Sequence, residues 1–266
     1  MALLAYPPSI AEAWAEIRLS NPITVGWHVY AIQKALNDAA GETLSADGAF
    51  GRNSDAAVRD YQARMNLVVD GVVGPATKRW LIEACARRLD REDISLPDGL
   101  IRAMARGEGA DNPSAINEYD PPGGTKGTDC GIMQLRCYEN GNGNYDISDL
   151  YEAFSPYDAM RVAAARFKEA KNHYLTYGWT RSRAVRAEKC ALLFHNWPVG
   201  ANDIAFEGRL SNSDAIATWV PSGLHMIDGS VVKTRFDWVC YYAGLFTEVN
   251  GVNHQGPMPA AVKWGV

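Results

Sequence analysis

No stretch of the 266 residues approaches the roughly 18 consecutive apolar positions that a bilayer-spanning helix needs. The opening run from Met1 lacks a cationic leader, and Pro7-Pro8 breaks its apolar character, so no signal peptide is expected. The chain is therefore expected to be made in a cytoplasm. Positive charge is also short. Lys and Arg number 26 against 31 Asp and Glu, a net charge of -5. The deficit is shared between the two halves: 10 against 12 before residue 95, and 16 against 19 after it. Phosphate binding needs a basic field, so the charge weighs against nucleic acid as the main partner, and none is expected. The five cysteines (Cys85, Cys130, Cys137, Cys190 and Cys240) are odd in number, with no Cys-x-x-Cys pair, and read as reduced structural thiols. The five histidines include no His-x-His or His-Glu-x-x-His spacing, so neither a metal nor another cofactor is expected.

What is present is an ordinary globular composition, 47% hydrophobic and 21% charged, at a length that suits two domains. Val25, Val29, Ile32 and Leu36 recur at helical spacing up to Ala39-Ala40-Gly41. A polar turn from Ser45 to Gly51 follows. A second helix reads from Ala56 to Met65, burying Ala57, Val58, Tyr61 and Met65, and a third runs from Thr77 with Trp80, Leu81 and Ala84. Two turns of form Asp-Gly-x-Phe/Val-Gly, at Asp47 and Asp70, stand 23 residues apart and each opens a helix. In such a turn the Asp accepts backbone N–H bonds and glycines permit positive φ. The apolar residue between them, Phe50 or Val73, plugs the helical pair. Each copy is too small to bury a core alone, so the two must stack.

The order Ile32-Gln33-x-x-Leu36, Asp47 to Gly51, Ala57-Val58-x-x-Tyr61-Gln62, Asp70 to Gly74 and Thr77 closely resembles the three-helix peptidoglycan-binding module of cell-wall hydrolases. The resemblance covers about residues 25–84 and singles out Asp47, Phe50, Tyr61, Gln62 and Asp70 as module residues. The charged run Arg87 to Asp93 reads as the end of the third helix plus a linker. The expected division is thus 1–92 and 93–266.

In the second part, Leu100, Ile101, Met104, Ala105 and Glu108 fall on one helical face, and Asn112-Pro113 ends the helix. A carboxylate completing an apolar stripe is unusual. In the last turn it also meets the negative end of the helix dipole, which together with burial would raise its pKa and suit a general acid.

Glu108 followed by Asn112-Pro113, then Gly131-Ile132-Met133-Gln134, then the helix start at Ser155-Pro156, then His195-Asn196-x-x-x-Gly200 resembles the lysozyme-like fold of soluble lytic transglycosylases and goose-type lysozymes. The match spans about residues 96–205. It departs from the family where Gly109, His195 and Ala159-Met160 replace Ser, Tyr and Asn-Ile. The implied fold is mainly α: a three-helix binding domain plus an α-helical catalytic domain. The implied activity is cleavage of the β-1,4 bond between N-acetylmuramic acid and N-acetylglucosamine, with Glu108 protonating the leaving oxygen. Gln134, His195, Asn196 and Met133 are the implied substrate-binding set. Met133 reads more as core than contact, and His195 more as a polar wall than a second acid–base.

The product depends on a second carboxylate. Asp120 and Asp129, on the Gly/Pro-rich loop after Glu108, could activate water; Glu118 is a weaker candidate. Attack by the muramic 6-hydroxyl would need neither and would give an anhydro sugar, the outcome slightly preferred. A binding module before such a domain, without a signal peptide, resembles a bacteriophage endolysin that waits for membrane pores and then lyses the host. Peptidoglycan is the expected partner, with no membrane or nucleic acid, and a monomer is expected. Two other readings stay open: a cysteine amidase or peptidase using Cys130, and a non-catalytic wall-binding protein.

Overall fold

A computed structural model of the chain describes residues 4, 10–93, 95–96, 100–119, 127–140, 144–145 and 150–175. The chain divides into two compact units: Met1–Ile94 with Glu108–Arg161, and Ser95–Gly107 with Val162–Val266. Helices dominate the described residues, as expected.

The first unit begins with a one-turn helix α1 (Ile10–Ala13), followed by α2 (Trp27–Ala40), α3 (Arg52–Arg64) and α4 (Pro75–Glu92). The buried face of α2 carries Val29, Ile32, Ala35 and Leu36; Val58 and Tyr61 of α3 and Leu81, Ile82 and Cys85 of α4 complete the core. Gly41, left-handed at φ 73°, closes α2, and Pro75 starts α4 where a missing N–H costs nothing. The helices differ from the sequence reading at their edges. Val25 lies outside α2, is exposed, and pairs with Ala49 in an isolated bridge. Helix α3 starts four residues early, Met65 is only half-buried, and the charged run expected to be shared between helix end and linker belongs to α4 as far as Glu92. Its outward-facing Glu83–Arg87 and Arg88–Glu92 pairs at i,i+4 support that extension.

Between α1 and α2 the chain runs as an extended strap. It pairs Ile17 with Val73 and Val25 with Ala49, one contact to each of the two turns. Lys78 on α4, buried and so with its pKa pushed down, donates from Nζ to the Ala15 carbonyl at 3.1 Å.

The same unit contains an antiparallel sheet that the sequence reading lacked. Its order is β1 (Ile116–Tyr119), β2 (Gly127–Cys130), β3 (Leu135–Asn140) and β4 (Asn144–Tyr145). Register pairs Asn117 with Asp129 and Asp129 with Arg136. Asp129 is thus on a strand, not in a loop as expected: β-pairing on both sides has straightened the segment. Next come α6 (Leu150–Ala153) and α7 (Pro156–Leu175).

Aromatic rings join these parts. Trp27 of α2 stacks on Phe154 at 5.1 Å and meets Tyr151 edge-on at 5.0 Å, while Tyr30 meets Tyr151 at 5.2 Å. Beside them Arg88 lies 4.2 Å over the Tyr157 ring, and the Tyr157 hydroxyl donates to Glu92. Burial and that bond push the Tyr157 hydroxyl up to about 12. At the strap, Asn112 Nδ2 and Ser114 Oγ, both buried, each donate to the Ala13 carbonyl at 2.9 Å.

The second unit contributes residues 100–107 of α5 (Leu100–Gly109) and residues 162–175 of α7. Leu100, Ile101, Met104 and Ala105 are buried, as are Ala163, Ala164, Phe167 and Ala170. Ala165, between them on α7, is exposed.

Candidate functional site

The two turns of the repeat have one construction. In the first, Gln33 Nε2 donates to Asp47 Oδ1 (3.0 Å), the Ala49 carbonyl (3.1 Å) and Ser54 Oγ (3.2 Å), and its Oε1 accepts from Gly48 N–H. In the second, Gln62 Nε2 donates to Asp70 Oδ1 (2.9 Å), the Val72 carbonyl (3.0 Å) and Thr77 Oγ1 (3.3 Å), and its Oε1 accepts from Gly71 N–H. Each Asp also accepts a backbone N–H two residues on, from Ala49 and from Val72. The Val72 N–H and the Gln62 amide hold the Asp70 carboxyl below its usual range. Phe50 and Val73 are fully buried plugs. Positive φ is needed only at Gly48 (75°) and Gly71 (72°). Gly51 and Gly74, read as further positive-φ positions, are extended caps at φ -91° and -89°.

Phe50, Tyr61 and Gln62 are therefore interior parts that shape the module. Asp47 is half-buried and Asp70 is exposed. Sequence reasoning singled out Asp47 of the first turn but missed Arg52, Asn53 and Ser54 beside it. A cavity of about 220 Å³ opens there, with Ser45, Asp47, Arg52, Asn53 and Ser54 on its lining. The registered position of Ser54 and Thr77 in the repeat was the available signal for the pair that completes each glutamine's contacts.

The second constellation lies where α5 ends. Glu108 is half-buried in the last turn of that helix, the place expected from its spacing. The next residue, Gly109, is packed so closely on the Gly131–Gln134 turn that a Cβ there would lie 2.6 Å from the Ile132 carbonyl oxygen and 2.7 Å from Ile132 Cδ1. Gly131 (φ 76°) meets the Ala153 carbonyl of α6 from the other side, leaving no room for a Cβ. The turn is thus held between two helix ends. The chain leaves Gly109 through the Asn112 N–H, which donates to the Gly109 carbonyl at 2.8 Å, and enters β1.

Within the turn Gln134 is half-buried at φ 45°, and its Nε2 donates to the carbonyls of Gly131 (2.8 Å) and Ala115 (3.3 Å). Its amide oxygen is on the side not used by those bonds. Met133 is fully buried and presents no surface to a ligand. Asp129 is half-buried on β2, and Glu118 is exposed on β1. Asp120, His195 and Asn196 lie outside the described residues. Cys130 is fully buried.

Residues 27–81 match the family model of peptidoglycan binding domains. No curated protein matches the chain. The match identifies the repeat-built module with the peptidoglycan-binding domains and supports peptidoglycan as a partner.

Proposed function

We propose that the chain tethers itself to peptidoglycan through residues 27–81 and cuts the glycan at the β-1,4 bond between N-acetylmuramic acid and N-acetylglucosamine. One observation carries the reading: the contact of Gly109 with the Ile132 backbone, which sets the helix end bearing Glu108 against the turn bearing Gln134. Glu108, half-buried at the negative end of a helix dipole, is suited to hold a proton and deliver it to the leaving oxygen. Gln134, fixed by two carbonyls, would offer its amide oxygen to sugar or water. His195 and Asn196 would form the facing wall.

With Asp129 on a strand between Asn117 and Arg136, the choice between hydrolysis and transglycosylation rests on the product itself. The reading retains a slight preference for transglycosylation, the 1–92 and 93–266 division, and the role of a phage endolysin. Such an enzyme reaches the wall through membrane pores. Tethering raises the local concentration of glycan bonds without any new contact at the cleft. A cysteine amidase centred on Cys130 is disfavoured by that thiol's complete burial, since a nucleophile needs access.

The test is to incubate the chain and its Glu108→Gln variant with purified peptidoglycan and to analyse the soluble fragments by mass spectrometry. Muropeptides lighter by one water mark transglycosylation, and reducing muramic acid marks hydrolysis. Equal solubilisation by the variant, or new free amines with unbroken glycan, would sink the glycosidase reading.

A further inference from the structure

We propose that the cavity beside the first turn of the repeat is the module's ligand site, and that it takes the zwitterionic part of a stem peptide, a free ammonium and carboxylate, rather than a sugar. The inference rests on the wall-binding part of the function above and is independent of glycan cleavage.

The repeat provides its own control. Both turns share the glutamine, the Asp-Gly pair and the Ser or Thr that complete the polar knot. Those positions build the fold, so they are alike. The positions around them are not alike: Ser45, Arg52 and Asn53 of the first turn correspond, 23 residues on, to Val68, Pro75 and Ala76 of the second. Ser45, Arg52 and Asn53 line the cavity of about 220 Å³ together with Asp47 and the apolar Leu44 and Ala49. One of two equivalent turns thus carries hydrogen-bonding groups that its backbone does not require.

Those groups are uncommitted. Among the described residues, the side chains of Ser45, Arg52 and Asn53 make no hydrogen bond or ion pair, whereas nearby Arg59 and Arg64 are both engaged. Asp47 spends Oδ1 on Gln33 and on the Ala49 N–H, and among the described residues Oδ2 has no hydrogen-bond partner. Arg52 and Asp47 line the same cavity without bridging one another. A cation and an anion that share one small cavity without pairing suit a ligand bearing both charges. Peptidoglycan carries such groups on its stem peptides, whereas its N-acetylated sugars are uncharged where the lactyl carboxyl is amide-linked to the peptide. The lining also contains no aromatic ring on which a sugar face could stack. The volume lies below the roughly 300–1,000 Å³ typical of pockets for drug-sized ligands, which favours an amino-acid-sized group over an oligosaccharide.

The test uses the full chain and a fluorescent disaccharide tetrapeptide with a free diamino-acid end, whose one glycosidic bond runs from C1 of N-acetylglucosamine to N-acetylmuramic acid, so that it lacks the muramic-acid C1 linkage of the proposed cleavage. Binding is read by anisotropy, with sedimentation on intact walls in parallel. Arg52→Ala is expected to weaken probe binding about tenfold, the usual effect of losing one charge-assisted hydrogen bond. Asp47→Asn keeps the oxygen that the turn needs and is also expected to weaken it. Arg52→Lys should recover part of the loss, and unchanged thermal melting should show that each variant folds. Acetylating the probe's amine or amidating its carboxylates should weaken wild type and erase its advantage over the matching variant.

Equal probe binding by wild type and Arg52→Ala would overturn the proposal. So would displacement of the probe by N-acetylglucosamine oligomers but not by free stem peptide. Sedimentation that persists in all variants would leave wall binding intact and place it elsewhere, which also overturns the pocket. Wild type that fails to sediment would overturn the wall-binding reading itself, and this inference with it.

Discussion

Gln33 and Gln62 occupy equivalent places in successive copies of one turn, their amides reaching Asp47 at 3.0 Å and Asp70 at 2.9 Å. Both are buried and fully used, so each satisfies a turn that would otherwise bury unpaired backbone groups. Gln33→Leu and Gln62→Leu should each lower stability by about 2–4 kcal/mol, because several donors and acceptors are orphaned together. Urea unfolding with an unchanged slope would measure this. A loss below about 0.5 kcal/mol in either variant would mean that water replaces the amide without cost.

A second expectation concerns Gly109. Gly109→Ser restores the residue type of the resembled family but sets a Cβ 2.6 Å from the Ile132 carbonyl, so the helix end or the turn must move. The expected cost is about 1–3 kcal/mol of stability, as for overpacking elsewhere. The rate at which the chain clears a turbid wall suspension should fall by more than the loss of stability explains, since a displacement of about 1 Å near a reacting group can cost about a hundredfold in rate. Unchanged clearing would separate this contact from function.

His28 gives a pH dependence with a definite sign. It is buried, and burial together with neighbouring Lys78 lowers its pKa to about 4 from 6.5. The folded state therefore favours the neutral ring. Its contribution is present above the unfolded pKa and is lost as pH falls from 6.5 towards 4, where the unfolded chain binds the proton first. The full effect is on the order of 3 kcal/mol. Melting of wild type and His28→Gln at pH 7 and pH 4.5 should show a shallower acid loss in the variant; parallel losses would contradict it.

The aromatic contacts predict the behaviour of a truncated chain. A fragment of residues 1–92 loses Tyr151 and Phe154, which cover Trp27 and Tyr30. It should unfold at a lower temperature than the same helices in the full chain, and Phe154→Ala should cost about 3–5 kcal/mol. Identical melting of fragment and full chain would show that the stacking adds nothing to the module.

The repeat was legible because its turn chemistry is local: an Asp, a left-handed Gly and an apolar plug recur at fixed offsets, and each behaves as its residue type dictates. Glu108 was legible for a similar reason, since helical spacing fixes its place in the last turn whatever packs nearby. The sheet was not. Residues 116–145 are rich in glycine and polar side chains, and their strands exist through pairing with one another, a non-local cause that no window of sequence contains. Asp129 was misread with them. Val25 failed differently: its spacing fits the α2 stripe, but the strap's bridge to Ala49 draws it out of the helix. The cavity beside Arg52 was invisible because shape arises only after the turn closes.

Anyone who excises the binding domain at the family-matched limits, 27 and 81, will cut away the strand that staples both halves of the repeat to each other. Grafts onto other proteins should carry the donor sequence from Ile10 through Glu92, so that Ile17 and Lys78 keep their partners. A reporter fused directly ahead of Trp27 would be attached to a half-laced unit and would report on fraying rather than on affinity for the wall.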